Sequence, residues 1–112
     1  MNSNIEWVAA CKESELEVED VRRFDHNGST YAIYHVKDGF FASDGWCTHE
    51  RALLADGLVL DDTIECPLHN GRFHIPTGKA INPPVCINLK TYPVQLRDGL
   101  IQIGLPAAKQ EG

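Results

Sequence analysis

The sequence has little positive charge. Ten Lys and Arg residues stand against 16 Asp and Glu residues, which gives a formal net charge of −6. A protein that binds nucleic acid needs a basic face, so this composition argues against that class of function. The acidic balance is compatible with a protein partner that carries a basic docking patch. It is equally compatible with a charge that only keeps a small protein in solution.

Long hydrophobic runs are also missing. No apolar stretch approaches the roughly 20 residues that a membrane-spanning helix needs. The N-terminal segment is acidic and has no apolar core of the kind found in a signal peptide. We therefore expect no membrane partner and a cytoplasmic location. The length of 112 residues fits one domain with one core.

Cysteine and histidine are both scarce, since the chain has only four Cys and five His residues. Because no secretion signal accompanies the cysteines, metal binding is a better interpretation than two disulfides. Cys11 and Cys86 have no histidine or cysteine nearby in the sequence. We interpret both as small buried residues, which leaves Cys47 and Cys66 as candidate ligands.

Turn signals divide the chain into short segments. Asn-Gly or Asp-Gly pairs, which favour tight turns and hairpins, occur at 27–28, 38–39, 56–57, 70–71 and 98–99. The runs between them are rich in β-branched and aromatic residues, and several alternate apolar and polar positions as half-buried strands do. The predicted strands are 18–24, 30–36, 40–43, 63–66, 90–96 and 100–104.

The fold class predicted from these segments is all-β, with antiparallel hairpins on either side of a loop-rich region from about 44 to 80. Residues 14–20 are the best helix candidate, of one or two turns at most. Residues 77–86 contain two prolines and are predicted to be loop.

Both Cys–His pairs fall in the loop-rich region. Cys47 and His49 are separated by one residue, and Cys66 and His69 by two. Zinc modules usually group cysteines on one turn and histidines on another, whereas each turn here supplies one thiolate and one imidazole. Mixed pairs suit a two-iron cluster in which one iron takes both sulfurs and the other takes both nitrogens. A structural zinc-binding module stays an alternative.

The segment CTHERALLADGLVLDDTIECPLHNGRFHIPTGKA resembles the cluster-binding segment of Rieske proteins, in which C-x-H is followed after a gap by C-x-x-H. Pro67, the NGRF turn and the later TGKA resemble the Rieske ferredoxins of bacterial aromatic-ring-hydroxylating oxygenase systems. The stretches YAIYHVKDGFFASDGWCTH and KTYPVQLRDGLIQIGL are similar to that family's strands, so the resemblance covers most of the chain.

The resemblance implies a Rieske fold in a single ferredoxin domain, 1–112. Its base is an antiparallel β-sandwich or barrel-like structure formed by about 1–43 and 81–112. A loop-rich cluster-binding subdomain spans about 44–80.

The resemblance also implies one Rieske-type [2Fe-2S] cluster. By position, Cys47 and Cys66 bind one iron, and His49 and His69 bind the other and form the electron port. Two neutral imidazoles in place of two thiolates make the cluster less negative, which raises its potential above that of all-cysteine ferredoxins.

The implied function is electron transport and not catalysis. A monomeric carrier would pass single electrons from a flavin-dependent NAD(P)H reductase to a terminal oxygenase, as a dioxygenase component in aromatic hydrocarbon catabolism. The alternatives are the Rieske-type small subunit of a nitrite reductase and the zinc module. A fragment of an oxygenase is a further alternative, but 112 residues leave no room for a catalytic domain.

Departures from high-potential Rieske proteins predict the low end of the family's range, around −150 mV. Leu68, Gly71 and Phe73 stand where those proteins have a cysteine, a serine and a tyrosine that adjust the cluster. His74 stands where many related ferredoxins have an acidic residue, and we interpret it as a surface substitution. His26 and His35 are expected to have no redox role.

The resemblance further suggests a contact patch for partners, formed by Leu68 with Pro83 and Pro84. Glu50, beside the first histidine, is expected to shape partner choice or lower the potential slightly. Trp46 is expected to pack rather than shield the cluster. The candidate backbone donors to the cluster sulfurs are Thr48, Glu50, Leu68, Asn70 and Gly71.

Overall fold

A computed structural model of the protein describes residues 5–49, 51–68, 71–83 and 87–107. The chain order of the strands is β1 (Ile5–Lys12), β2 (Asp20–His26), β3 (Ser29–Val36), β4 (Gly39–Asp44), β5 (Leu58–Leu60), β6 (Thr63–Glu65), β7 (Arg72–His74), β8 (Thr91–Tyr92), β9 (Val94–Arg97) and β10 (Leu100–Pro106). Two single 3-10 turns, Glu13–Glu15 and Leu54–Asp56, accompany them. No helix in these ranges is long and apolar enough to cross a membrane.

The strands form three antiparallel sheets, with the orders β1-β10-β9, β2-β3-β4-β8 and β5-β6-β7. Two of the predicted turns are tight hairpins. Asn27 and Gly28 both have positive φ, as do Asp98 and Gly99, which is the requirement of a type I′ turn. The all-β fold class is therefore confirmed.

Strand β3 separates two hydrophobic cores. Its residues Tyr31 and Ile33 pack with Ile101 and Ile103 of β10, in the core between the first two sheets. Tyr34, on the opposite face of β3, packs in the core that also contains both candidate cysteine ligands. Because successive side chains of a strand point to opposite faces, β3 connects the base of the molecule with the ligand loops.

Some of the predicted helices and strands differ from those of the structure. The helix predicted at 14–20 is absent, because the chain turns once at Glu13–Glu15 and then becomes extended at Leu16, whose side chain is buried. The strand predicted at 90–96 is divided at Pro93, which cannot donate a ladder hydrogen bond. Strands β1, β5 and β7 were not predicted. Residues 77–83 of the predicted loop contain no strand, and residues 84–86 lie outside the described residues.

Candidate metal centre

The first ligand loop, residues 45–53, leaves strand β4 at Gly45. The Gly45 N–H donates to the Thr30 carbonyl at 2.9 Å, and a Cβ at this position would lie 2.8 Å from Thr30 Cγ2. The loop is closed by the Cys47 N–H, which donates to the Ala52 carbonyl at 2.9 Å. The chain therefore approaches Thr30 closely at Gly45, which only a glycine allows without displacement of the neighbouring atoms.

The second ligand loop, residues 66–71, joins β6 to β7. The Cys66 N–H donates to the Gly71 carbonyl at 2.7 Å, which closes the loop at the point where the two strands separate. Beyond the loop, the Arg72 N–H donates to Asn82 Oδ1 at 2.9 Å. The loop is therefore tied to the segment that contains Pro83.

Both cysteine side chains lie in the same hydrophobic core. Cys47 is 6% exposed and Cys66 is 1% exposed, and Leu54 and Phe73 of that core are fully buried. Each sulfur accepts a backbone N–H from two residues further on. His49 N lies 3.4 Å from Cys47 Sγ, and Leu68 N lies 3.4 Å from Cys66 Sγ. Such donors stabilise a sulfur that carries negative charge.

Only part of the predicted ligand set is described. His49 is exposed, in contrast to the two buried sulfurs. His69 lies outside the described residues, and in the described ranges no three His, Cys, Asp or Glu side chains form a group that could hold a metal ion. Among the predicted backbone donors, Leu68 donates to a cysteine sulfur, whereas the His49 donor was not predicted. Glu50 and Asn70 lie outside the described residues.

The described donors, two thiols and one imidazole, are nevertheless of the types that a Rieske cluster takes. Two thiols on separate turns lie in one core, and each has a backbone N–H aimed at its sulfur. A thiol loses its proton when it binds a metal, and a neutral imidazole does not change the charge. The two sulfurs are thus on the buried side of the site, and His49 is on its exposed side.

The surroundings of the first loop include a cation–π contact. The Arg51 guanidinium lies 4.3 Å from the ring centroid of Trp46, and Trp46 forms an isolated β-bridge with Leu53. Contacts of this kind contribute roughly 0.5–1 kcal/mol at exposed sites. Trp46 therefore helps to close the first loop, in agreement with the expectation that it packs.

The other histidines make structural contacts. His74 lies between Asp62, with Nε2 3.1 Å from Oδ2, and Thr77, with Nδ1 2.8 Å from Oγ1. The His35 Nδ1 atom lies 2.8 Å from the Leu16 carbonyl oxygen. His26 stacks on Phe24. Cys11 is 8% exposed, which confirms its predicted burial, and Cys86 lies outside the described residues.

Residues 87–92 also lie near the site, and the sequence did not predict their contacts with it. In residues 87–92, the Ile87 carbonyl accepts from Thr48 Oγ1 at 2.7 Å, and the Leu89 N–H donates to the Gly78 carbonyl at 2.7 Å. Asn88 Oδ1 accepts from the Ala80 N–H at 2.9 Å. Thr48 and Ile87 are 39 positions apart, so no local pattern in the sequence could have revealed this contact.

Comparison with known proteins decides the family. The family model described as "Rieske [2Fe-2S] domain" matches residues 6–93. The chain belongs to the Rieske [2Fe-2S] family. As a member, it carries a Rieske-type [2Fe-2S] cluster, which confirms the predicted cofactor, and the match argues against the zinc alternative.

Individual Rieske relatives match nearly the whole chain. The ferredoxin component of the naphthalene 1,2-dioxygenase system of Pseudomonas putida is 40% identical over 101 residues, which cover 90% of this chain and 97% of the relative. A solved ferredoxin of Sphingomonas yanoikuyae B1 has a TM-score of 0.85 and 34% identity, over 90% of this chain and 100% of that one.

A third likeness is to a structure described as a complex of reduced oxygenase and oxidised ferredoxin in carbazole 1,9a-dioxygenase. The matching chain has a TM-score of 0.84 and 31% identity, over 94% of this chain and 97% of that one. These Rieske relatives are electron carriers and not enzymes, so the predicted absence of catalysis agrees with them.

Proposed function

We propose that this Rieske protein carries single electrons from a flavin-dependent NAD(P)H reductase to a terminal ring-hydroxylating oxygenase. The observation that carries this proposal is the likeness, over 94% of the chain, to a chain of the complex between a ferredoxin and its oxygenase. Because the relatives described above include a dioxygenase ferredoxin, we favour this function over that of a nitrite reductase subunit.

We infer that Cys47, His49, Cys66 and His69 are the cluster ligands. Burial of both sulfurs in one core, the N–H donor at each sulfur and the exposure of His49 support the first three. The C-x-x-H spacing supports His69. When bound, the cluster supplies one-electron redox chemistry without a change of substrate bonds.

The remaining residues of the site control solvent and potential. Leu54 and Phe73, both 0% exposed, exclude water from the cysteine side. Phe73 has no hydroxyl to donate to the cluster, which supports a potential near the low end of the Rieske range, around −150 mV.

The subdomain division is also part of the proposal. Residues of about 44–80 would form the cluster-binding part, because β5, β6 and β7 pair only with one another among the described strands. A cytoplasmic monomer completes the proposal. The reason is that NAD(P)H is a cytoplasmic reductant and a carrier must separate from one partner before it reaches the next.

We place the docking surface at the exposed end of the ligand loops. Leu68 is 45% exposed beside the position of His69, and Pro83 is also exposed. Pro84, the third residue of the predicted patch, lies outside the described residues. A small apolar tip gives the weak and transient contact that an electron carrier needs.

The experiment compares two leucines of equal exposure. Leu68 is 45% exposed at the proposed docking tip, and Leu96 is 46% exposed on β9 of another sheet. Leu68→Asp should slow electron transfer to the oxygenase several-fold and leave the visible spectrum of the cluster unchanged, whereas Leu96→Asp should alter neither. Stopped-flow reoxidation of the reduced protein measures the rate. Equal rates for the two variants would contradict the docking surface, and a wild-type protein that the oxygenase cannot reoxidise would contradict the function.

A further inference from the structure

Tyr92 makes a short hydrogen bond at the entrance to the first ligand loop. Its hydroxyl donates to Asp44 Oδ1 at 2.6 Å. Asp44 is the last residue of β4 and precedes Cys47 by three positions. Hydrogen bonds to a carboxylate are about twice as strong as neutral ones, so this bond is a strong tie between β8 and the end of β4.

The same strand end has a second tie. The Asp44 N–H donates to the Lys90 carbonyl at 2.9 Å. Strand β8 itself has only two residues, and its pairs with β4 are Ala42–Tyr92 and Ser43–Thr91. The Asp44 N–H therefore extends a very short strand pairing by one residue, and the side-chain bond of Tyr92 reinforces that pairing at the position where the loop begins.

The tyrosine ring is held in a defined orientation. It packs edge-on against Tyr31, with ring centroids 5.2 Å apart, and the Lys90 ammonium lies 5.5 Å from its centroid. Burial and the adjacent Asp44 carboxylate raise the pKa of Tyr92 above the ordinary value of a phenol. The hydroxyl therefore remains a donor at every pH at which the protein would function.

The position of Asp44 affects the position of Cys47 through the confined backbone that joins them. Gly45 follows Asp44 and is fixed against Thr30, where a side chain would not fit. The Leu54 N–H donates to the Gly45 carbonyl at 2.9 Å, which joins the two ends of the loop. Because Gly45 is confined in this way, the direction in which β4 ends determines where Cys47 lies.

We propose that Tyr92 is a positioning residue for the cluster, which fixes the entry of β4 into the first ligand loop through its bond to Asp44. This inference rests on the ligand role proposed above for Cys47. Its described hydrogen bond and ring contacts are to Asp44, Tyr31 and Lys90, and we assign its effect on the cluster to the bond with Asp44.

Two substitutions distinguish the effect of the Tyr92 hydrogen bond from the effect of the Asp44 charge. Tyr92→Phe removes the donor and keeps the ring and the Asp44 charge. Asp44→Asn removes the charge and keeps an oxygen that can accept from Tyr92. Gln95→Met is the control, because it breaks a side-chain bond of 2.7 Å between Gln95 and Gln102 in β9 and β10, away from both ligand loops.

The measurements are made on cluster-loaded protein, with each variant held equally far below its own unfolding temperature. They are the rate of iron loss to a chelator and the visible circular dichroism of the oxidised cluster. Tyr92→Phe should lose iron several-fold faster and change the circular dichroism bands. Asp44→Asn should lose iron at a rate between those of the wild type and Tyr92→Phe, because a neutral oxygen accepts a weaker bond, and it should have a higher reduction potential, because a negative charge is removed. The control should match the wild type.

Wild-type iron loss and circular dichroism in Tyr92→Phe, with only a lower unfolding temperature, would show that Tyr92 supports the fold alone and would overturn the inference. If Tyr92→Phe does not fold, Asp44→Ala takes its place, and it must lose iron faster than Asp44→Asn. Failure of the wild type to bind a cluster would overturn the proposed function, and this inference with it. A loaded wild type whose variants do not differ from it would overturn the inference alone.

Discussion

The two ligand loops bury their cysteines to a similar degree but are built from different contacts. In both, the sulfur accepts a backbone N–H from two residues further on. The second loop lies between β6 and β7, which pair directly with each other. The first loop depends on residues far along the chain, because Thr48 bonds to Ile87 and Asp44 bonds to Tyr92, 48 positions away.

The two loops therefore differ in the sequence separation of the hydrogen bonds that hold them. The second loop joins two directly paired short strands and is closed by the hydrogen bond from Cys66 to Gly71. The first loop adds bonds to the 87–92 segment to the bonds that it makes within itself. Changes to that segment should therefore affect the first loop more than the second.

The largest effect on the cluster is expected from substitution of the cysteine that each loop contributes. Cys47→Ser and Cys66→Ser should each abolish the cluster, because a serine hydroxyl does not replace a thiolate ligand to iron. Cys11→Ser should keep it, since Cys11 lies in the other core. Iron and sulfide analysis of the purified variants measures the outcome. A full cluster in either of the first two variants would remove that cysteine from the ligand set.

A large loss of stability is expected in the core beneath the first loop. Leu54 is 0% exposed, and Leu54→Ala should lower the free energy of unfolding by about 2–5 kcal/mol. Leu58→Ala is the control, because Leu58 is 54% exposed and its truncation should change stability by no more than about 0.5 kcal/mol. Urea unfolding of the two variants measures the difference, and similar costs would contradict the burial described for Leu54.

A smaller effect tests the long-range contact directly. Thr48→Val removes the bond to Ile87 and should cost about 0.5–1.5 kcal/mol. Thr63→Val removes a comparable bond to Leu60, three positions away within the β5–β6 turn, and serves as the local counterpart. Only Thr48→Val should also accelerate iron loss, and Thr48→Ser should restore the wild-type rate. Faster iron loss in Thr63→Val would erase the distinction between the loops.

The smallest effect is expected beyond the second loop. His74 and Asp62 are both partly exposed, at 34% and 48%. Exposed pairs of this kind contribute about 0.2–1 kcal/mol. A double-mutant cycle with His74→Gln and Asp62→Asn, followed by thermal unfolding, measures the coupling. A coupling well above 1 kcal/mol would mean that this pair contributes to the second loop as strongly as Thr48 contributes to the first.

The sequence predicts the features that depend on local pattern. The hairpin turns at 27–28 and 98–99 follow from dipeptides that accept positive φ, and the ligand pairs follow from their spacing. Strand β1 was missed because a bulge between Ala9 and Cys11 interrupts its alternation. Strands β5 and β7 have three residues each, too few to show a period, whereas the equally short β6 was predicted from its β-branched Thr63 and Ile64.

Other features depend on tertiary contacts that no local window contains. The bond between Tyr92 and Asp44 is of this kind, and so is the contact of Thr48 with Ile87. The burial of Cys47 and Cys66 in one core also appears only when the sheets assemble. The sequence therefore identifies the candidate ligands, whereas the structure identifies the residues that orient them.

The most direct test of the central claim is metal analysis of anaerobically purified protein together with low-temperature EPR after reduction with dithionite. A Rieske protein should contain iron and acid-labile sulfide in the proportions of one [2Fe-2S] cluster per chain. The reduced cluster should give an EPR signal whose average g value lies below that of all-cysteine clusters, because nitrogen binds one iron. A colourless protein that contains one zinc and neither iron nor sulfide would contradict the assignment of a Rieske cluster.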